Sequence, residues 1–119
     1  MVANLLLLSS VLLITIGQIL IKFGINELAI DKGGMSLVNT LFVAFGSIKI
    51  IMGIFLAGMA SIAWVLLLTK IELSYAYPFM MMPIVLVSIL SLFFFNESID
   101  TTQWLGITFI IIGFWFFSK

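Results

Sequence analysis

Gly17-Gln18-Ile19-Leu20-Ile21-Lys22 lies inside the first long apolar run of the chain, and it sets a carboxamide and an ammonium one helical turn apart. Lys22 is the only charged side chain in the first 25 residues. A cation in or beside a greasy helix needs a reason. Either its long stem carries the ammonium out to the membrane interface, or it lines a polar cavity between helices, since lipid exposure of such a group is costly. What surrounds this stretch decides the fold, and what pairs with Lys22 decides the function.

The surroundings are hydrocarbon-like. Of 119 residues, 64% are hydrophobic and only 8% charged. A soluble domain of this size has too much surface to hide that much apolar area, so lipid must be the solvent for most of the chain. The formal net charge is zero and there is no histidine, which leaves no basic face for nucleic acid. The absence of cysteine excludes disulfides, zinc–thiolate sites and thiol catalysis. No paired buried carboxylates, Gly-rich phosphate loop or metal-ligand cluster stands in the sequence, so nothing points to an enzyme, a metal or a cofactor. The first run lacks the basic flank and cleavage site of a secretory signal and reads as a retained transmembrane helix.

A spanning helix needs roughly 20 apolar residues to cross about 30 Å of hydrocarbon. Four runs qualify: Ala3 to Phe23, with an extension toward Ala29, then Ser47 to Leu68, Tyr75 to Phe95 and Thr101 to Phe117. Backbone groups in lipid must be satisfied within the segment, so the runs are predicted to be helices. The expected fold is an all-α membrane protein, residues 1–119 forming a single four-helix transmembrane domain.

Between the first two runs, Asp31-Lys32-Gly33-Gly34 reads as a turn. Met35 to Phe45 is apolar but too short to span, and two readings stand for it. Ser36 caps a short interfacial helix, or the second helix starts early and tilts. Thr69 to Ser74 is a tight connection that makes the second and third helices antiparallel neighbours. Asp100 and Gln103 have capping-box spacing and would start the fourth helix at Thr101. Lys22, Lys32 and Lys49 fall on one side of the membrane, Lys70 and Lys119 on the other, a bias too small to set orientation.

Several features carry candidate chemistry. Thr15, Gln18, Lys22 and Asn26 form a polar stripe along one face of the first helix. As a cavity wall the stripe suits an anionic headgroup, with Lys22 as a point charge for phosphate and Gln18 orienting it. The bland alternative is that Lys22 snorkels. In the second run Gly53, Ala57, Ala60 or Ser61, and Trp64 recur at helical spacing, a small-residue face suited to close packing. Trp64 reads either as a belt residue or as an aromatic wall. In the third run Tyr75-Ala76-Tyr77-Pro78 and Pro83 predict a helix that bends or breaks near a site, with Met80-Met81-Met82 adding adaptable apolar surface. Glu97 is either a solvated loop charge or the residue that closes one end of the cavity and meets Lys22 or a cationic substrate group. Gly106 and Gly113 share a face of the fourth helix and read as a dimer contact.

Taken in order, Gly17-Gln18 with Lys22, Trp64, Ala76-Tyr77-Pro78, Asn96-Glu97, Trp104, Gly106, Phe109-Ile110-Ile111 and Gly113 resemble the four-helix branch of the drug/metabolite transporter superfamily. Within it the chain is most similar to the small subunits that flip aminoarabinose-phosphoundecaprenol and related lipid-linked sugars. The small multidrug resistance family resembles it too, but its members carry a proton- and drug-binding glutamate where this chain has Ile14.

The resemblance implies a multi-pass transporter of the cytoplasmic (inner) membrane. Its expected cargo is an anionic, polyprenyl-phosphate-linked sugar, destined for lipid A or another envelope glycan, and it would work as a homodimer or heterodimer. The expected substrate-binding residues are Gln18, Lys22, Trp64, Tyr75, Tyr77 and Glu97, with Lys22 on the phosphate and no acidic companion on its own helix. Two alternatives remain: a small multidrug or metabolite exporter, and a non-transporting subunit of a glycosyltransferase complex.

Overall fold

The computed structural model describes residues 1–28 and 34–119. The described residues contain no strand. The order is α1 (Val2–Glu27), α2 (Leu37–Phe45), α3 (Ile48–Leu68), α4 (Leu73–Ala76), a 3-10 turn (Tyr77–Met80), α5 (Met81–Phe95) and α6 (Thr101–Phe117). Three stretches are long and apolar enough to cross a membrane: α1, α3, and Leu73–Phe95, which joins α4, the 3-10 turn and α5. With α6 as a shorter apolar helix, the chain is a multi-pass membrane protein. The extension to Ala29 and most of the Asp31–Gly34 turn fall outside the described residues.

The contact that organises the bundle is α1 on α3. A methyl group on Gly53 would lie 2.6 Å from the Gly17 carbonyl oxygen, and one on Gly17 would lie 2.8 Å from the Gly53 carbonyl. No side-chain carbon tolerates that distance, so the helices cross backbone against backbone. In lipid, where apolar side chains gain little by leaving solvent, such close packing supplies the attraction. Two turns on, Gly24 sits against Ile50 and Ser47 in the same seam. The small-residue face expected on the second run is the face α1 occupies: Gly53 and Ala60 are buried, whereas Ser61 is exposed.

Hydroxyl groups in this environment bond to their own helix. Ser10 donates to the Leu6 carbonyl at 2.8 Å and Thr15 to the Val11 carbonyl at 2.8 Å. Ser88 does the same to Ile84 at 2.8 Å. This back-bonding lets a polar residue sit in hydrocarbon without an orphaned donor.

The connections follow local chemistry. Ser36 Oγ accepts from the Asn39 N–H at 3.4 Å, so α2 is a separate, capped helix and not an early start of α3. The two prolines fall where their missing N–H groups do no harm. Pro78 is the second residue of the 3-10 turn and Pro83 lies in the first turn of α5. The third apolar run is therefore broken at Tyr77–Met80. Gln103 Oε1 accepts from the Asp100 N–H at 3.0 Å, the reciprocal half of a capping box, and α6 starts at Thr101.

Candidate functional site: a polar-ended groove between three helices

Ile84, Val87, Ser88 and Ser91 follow the spacing that puts four residues on one face of α5. That face looks into a cleft with two lobes. The lobe toward α1, about 350 Å³, is walled by Ile14, Gln18, Met80 and Pro83. The lobe toward α6, about 430 Å³, is walled by Glu97, Ser98, Gln103 and Gly106 among others. Ile84, Val87 and Ser88 line both. Each lobe falls within the size range of small-ligand sites, about 300–1,000 Å³.

An ion pair stands at one end of this cleft. Lys22 Nζ lies 3.2 Å from Glu97 Oε1. Lys22 follows Gln18 by one turn of α1, and Glu97 lines the α6 lobe, so the pair links α1 to the loop after α5. Local structure places Glu97 there. Asn96 ends α5 in the left-handed conformation, φ 51°, which asparagine tolerates better than most residues. The N–H groups of Asn96 and Glu97 turn back onto the Ser91 carbonyl, which reverses the chain. Phe23 packs on Phe94 and Phe95, with centroids 5.9 and 4.7 Å apart, and holds the end of α1 beside that reversal.

The pair is not sealed: the side chains of Lys22 and Glu97 are 39% and 46% exposed. Ion pairs this open contribute only about 0–1 kcal/mol in water. It is a contact that a ligand can displace. A second pair, Glu27 with Lys49, ties α1 to α3 nearby, and Lys49 Nζ also lies 5.7 Å from the Phe23 centroid. The helix that bears Lys22 thus does carry an acid, since α1 continues through Glu27, contrary to the expectation from sequence. That acid is engaged by Lys49, and the partner of Lys22 comes from the loop after α5.

The structure brings some of the expected site residues together and separates others. Gln18 lines the α1 lobe and Glu97 the α6 lobe, and Lys22, which lines neither, pairs with Glu97. Tyr75, Tyr77 and Trp64 belong to the opposite end of the bundle; Tyr77 and Glu97 are separated by the length of α5, on the order of 25 Å. Tyr75 packs on Phe79 and Phe117, with centroids 5.6 and 6.3 Å apart, and Trp64 is half-buried in the last third of α3. Tyr77 lines a separate groove of about 370 Å³ with Met81, Gly113 and Phe114. The polar stripe of α1 divides as well. Thr15 is buried on the Val11 carbonyl, while Gln18 and Asn26 are exposed. Gly106 and Gly113 are exposed, and a methyl group on either would meet nothing within 4 Å.

The cleft also contains Ser88, Ser91, Ser98 and Gln103, which were not singled out as site residues. Two serines three apart on an otherwise apolar helix are the signal that was available for Ser88 and Ser91. Together the groups provide one ammonium, one carboxylate and several neutral hydrogen-bonding groups at the end of an otherwise apolar cleft. That set can hold a charged, hydroxylated headgroup while a hydrocarbon chain stays in lipid.

No family model matches the chain, and no solved structure matches it. Among curated proteins it is 31% identical over 117 residues to the probable 4-amino-4-deoxy-L-arabinose-phosphoundecaprenol flippase subunit ArnF of Proteus mirabilis, covering 93% of this chain and 87% of that one. It is 29% identical over 109 residues to the probable ArnE subunit of the same kind of flippase from Pseudomonas savastanoi pv. phaseolicola, covering 92% and 90% of the two chains. Over 60 residues, half of this chain, it is 42% identical to the probable ArnE subunit of Hamiltonella defensa.

Proposed function

The chain belongs to the family of 4-amino-4-deoxy-L-arabinose-phosphoundecaprenol flippase subunits, and from that membership we propose that it is a transporter subunit that flips a polyprenyl-phosphate-linked sugar across the cytoplasmic membrane for envelope-glycan or lipid A modification. The observation that carries this reading is the cleft itself. Its walls are largely apolar along α1, α5 and α6, and one charged group, Glu97, lines it at one end, where Lys22 pairs with it. A lipid-linked sugar has the same division, a polar head on a long hydrocarbon tail.

In this reading α6 is a fourth span beside the three long ones, and α2 lies in the interface with Leu37, Val38, Leu41, Phe42 and Phe45 against lipid. Lys22 takes the phosphate as a point charge, Gln18 orients it, and Glu97 meets the sugar or gates the cleft. Tyr75, Tyr77 and Trp64 serve the far end of the path, which a headgroup reaches only after crossing. The relatives are named as subunits, and one copy offers an open cleft along α6. A second subunit, identical or similar, therefore packs on the Gly106/Gly113 face and completes the enclosure.

The drug-exporter alternative is weakened by the cleft's chemistry. Ile14 lines the α1 lobe, and the carboxylate of the cleft, Glu97 in the α6 lobe, is paired with Lys22. A proton-coupled exporter of cationic drugs needs an acid there.

The test is lipid-linked sugar flipping in proteoliposomes, read as accessibility in the opposite leaflet. Wild-type protein moves the lipid, and Lys22→Ala slows it by about tenfold or more, the loss of one charge-assisted contact to phosphate. Equal rates for the two proteins remove Lys22 from the mechanism. Absence of flipping, together with co-purification of a glycosyltransferase, favours the scaffold alternative instead.

A further inference from the structure

The groove that Tyr77 lines and the α6 lobe of the cleft meet at Ile110, which is a wall of both. The register of the two helices makes them one furrow. Met81, Ile84 and Ser88 follow each other by three and four along α5, and Gly106, Ile110 and Gly113 by four and three along α6. Each series keeps to one helical face. Charge is confined to one end. Glu97 lines the α6 lobe, whereas none of the described residues that line the groove beyond Ile110 is charged. That distribution is complementary to an amphiphile whose head lies in the lobe and whose chain runs on toward Tyr77 and Phe117.

The furrow is a crease between touching helices: Phe79 meets Phe114 edge to face, with centroids 5.0 Å apart. A helix, about 10 Å across, does not enter such a crease, but a single hydrocarbon chain does. A second subunit on the Gly106/Gly113 face therefore roofs the furrow and does not fill it. Length decides between the chains a membrane offers. Gln103 to Phe117 spans about 20 Å of α6. One leaflet holds about 15 Å of hydrocarbon, so an ordinary acyl chain leaves the far end unfilled, while a longer chain fills it and returns to lipid. In lipid a chain gains little from being apolar, so its attraction to the furrow must come from packing, to which the thioether of Met81 adapts.

We propose that the α5–α6 furrow is a binding site for a long hydrocarbon chain, and that Ile110 and Gly113 make the protein select carriers whose chain is longer than one leaflet. This rests on the lipid-linked reading above and adds what the furrow recognises, the chain and not the sugar.

The experiment uses a polyprenyl phosphate with a photoreactive diazirine in its first few isoprene units, in proteoliposomes of the purified protein with any subunit that co-purifies. Mass spectrometry locates the adducts. They are expected on Met81, Ile110 and Gly113, and unlabelled polyprenyl phosphate is expected to compete about tenfold better than a phosphate ester of ordinary acyl length. Ile110→Trp, which fills the point where lobe and groove meet, is expected to lower the adduct yield by about tenfold. Ile112→Trp, on the other face of α6, is expected to leave it unchanged. Adducts confined to the exposed Phe109, Ile112 and Phe116, or equal competition by the two chains, overturn the proposal. So does an Ile110→Trp protein that loses a second subunit yet keeps full labelling. Flipping of a lipid-linked sugar without furrow labelling overturns the chain site alone, and furrow labelling without flipping overturns the transport reading alone.

Discussion

Two glycine-bearing faces of this protein invite comparison. On α1 and α3, Gly17 and Gly53 bring two backbones into contact, and a single methyl group has no room. On α6, Gly106 and Gly113 have the same character, small residues on an apolar helix, yet nothing lies within 4 Å of where their side chains would be. One face is occupied within the chain and the other is empty. Small residues in a membrane helix therefore signal a capacity for close approach, and only the arrangement of the other helices says whether that capacity is used within the subunit. Half of the molecule, α1 with α3, is a tightly seated pair. The other half, α6 beside α5 and the 3-10 turn, is loosely attached, and Ile107 is the only buried residue of α6.

The largest test of this contrast is Gly53→Leu. The new side chain must stand where the Gly17 carbonyl lies, and a destabilisation of about 3 kcal/mol or more is expected, at or beyond the upper end of ordinary overpacking. Unfolding in mixed detergent micelles measures it. A Gly53→Leu protein as stable as wild type would mean that the α1–α3 crossing is not as close as described. Asn96→Ala comes next. Alanine in a left-handed position loses about 1 kcal/mol, while Asn96→Gly is expected to be tolerated, so the two variants separate backbone strain from loss of the side chain.

A smaller effect is expected from Gln103→Ala, which removes the reciprocal half of the capping box at the start of α6. About 0.5–1 kcal/mol is expected in the same unfolding measurement. The smallest effect on the subunit itself belongs to Gly106→Leu and Gly113→Leu. Exposed substitutions of this kind usually stay within about 0.5 kcal/mol. If the open face receives a second subunit, these variants lose association in analytical ultracentrifugation while keeping their fold. Retention of full association would place the contact elsewhere.

Lys22 shows where reading from the sequence stops. Its position one turn after Gln18 on an apolar helix marked it as a group requiring a partner. The partner lies 75 positions away, in a loop, and reaches Lys22 because Asn96 reverses the chain and Phe23 docks on Phe94 and Phe95. The nearer acid, Glu27, is taken by Lys49. The tyrosines illustrate the opposite case. Tyr75 and Tyr77 were expected among the substrate-binding residues with Lys22, on the family resemblance and the prolines beside them. Antiparallel packing puts them at the other end.

The lipid environment, the helical class, the bounds of the second, third and fourth apolar segments, a bend or break near the prolines and the start of α6 at Thr101 were legible in the linear order of residues, and the cap at Ser36 was one of two readings left open there. Each depends on interactions within about one helical turn, or on the transfer of a whole segment from water to hydrocarbon, and both are local or additive. Which glycine face is filled, which acid meets Lys22, and which serines share a cleft with Gln18 were decided by tertiary packing. Those outcomes depend on how separate helices approach and align, and no spacing along a single helix carries that information.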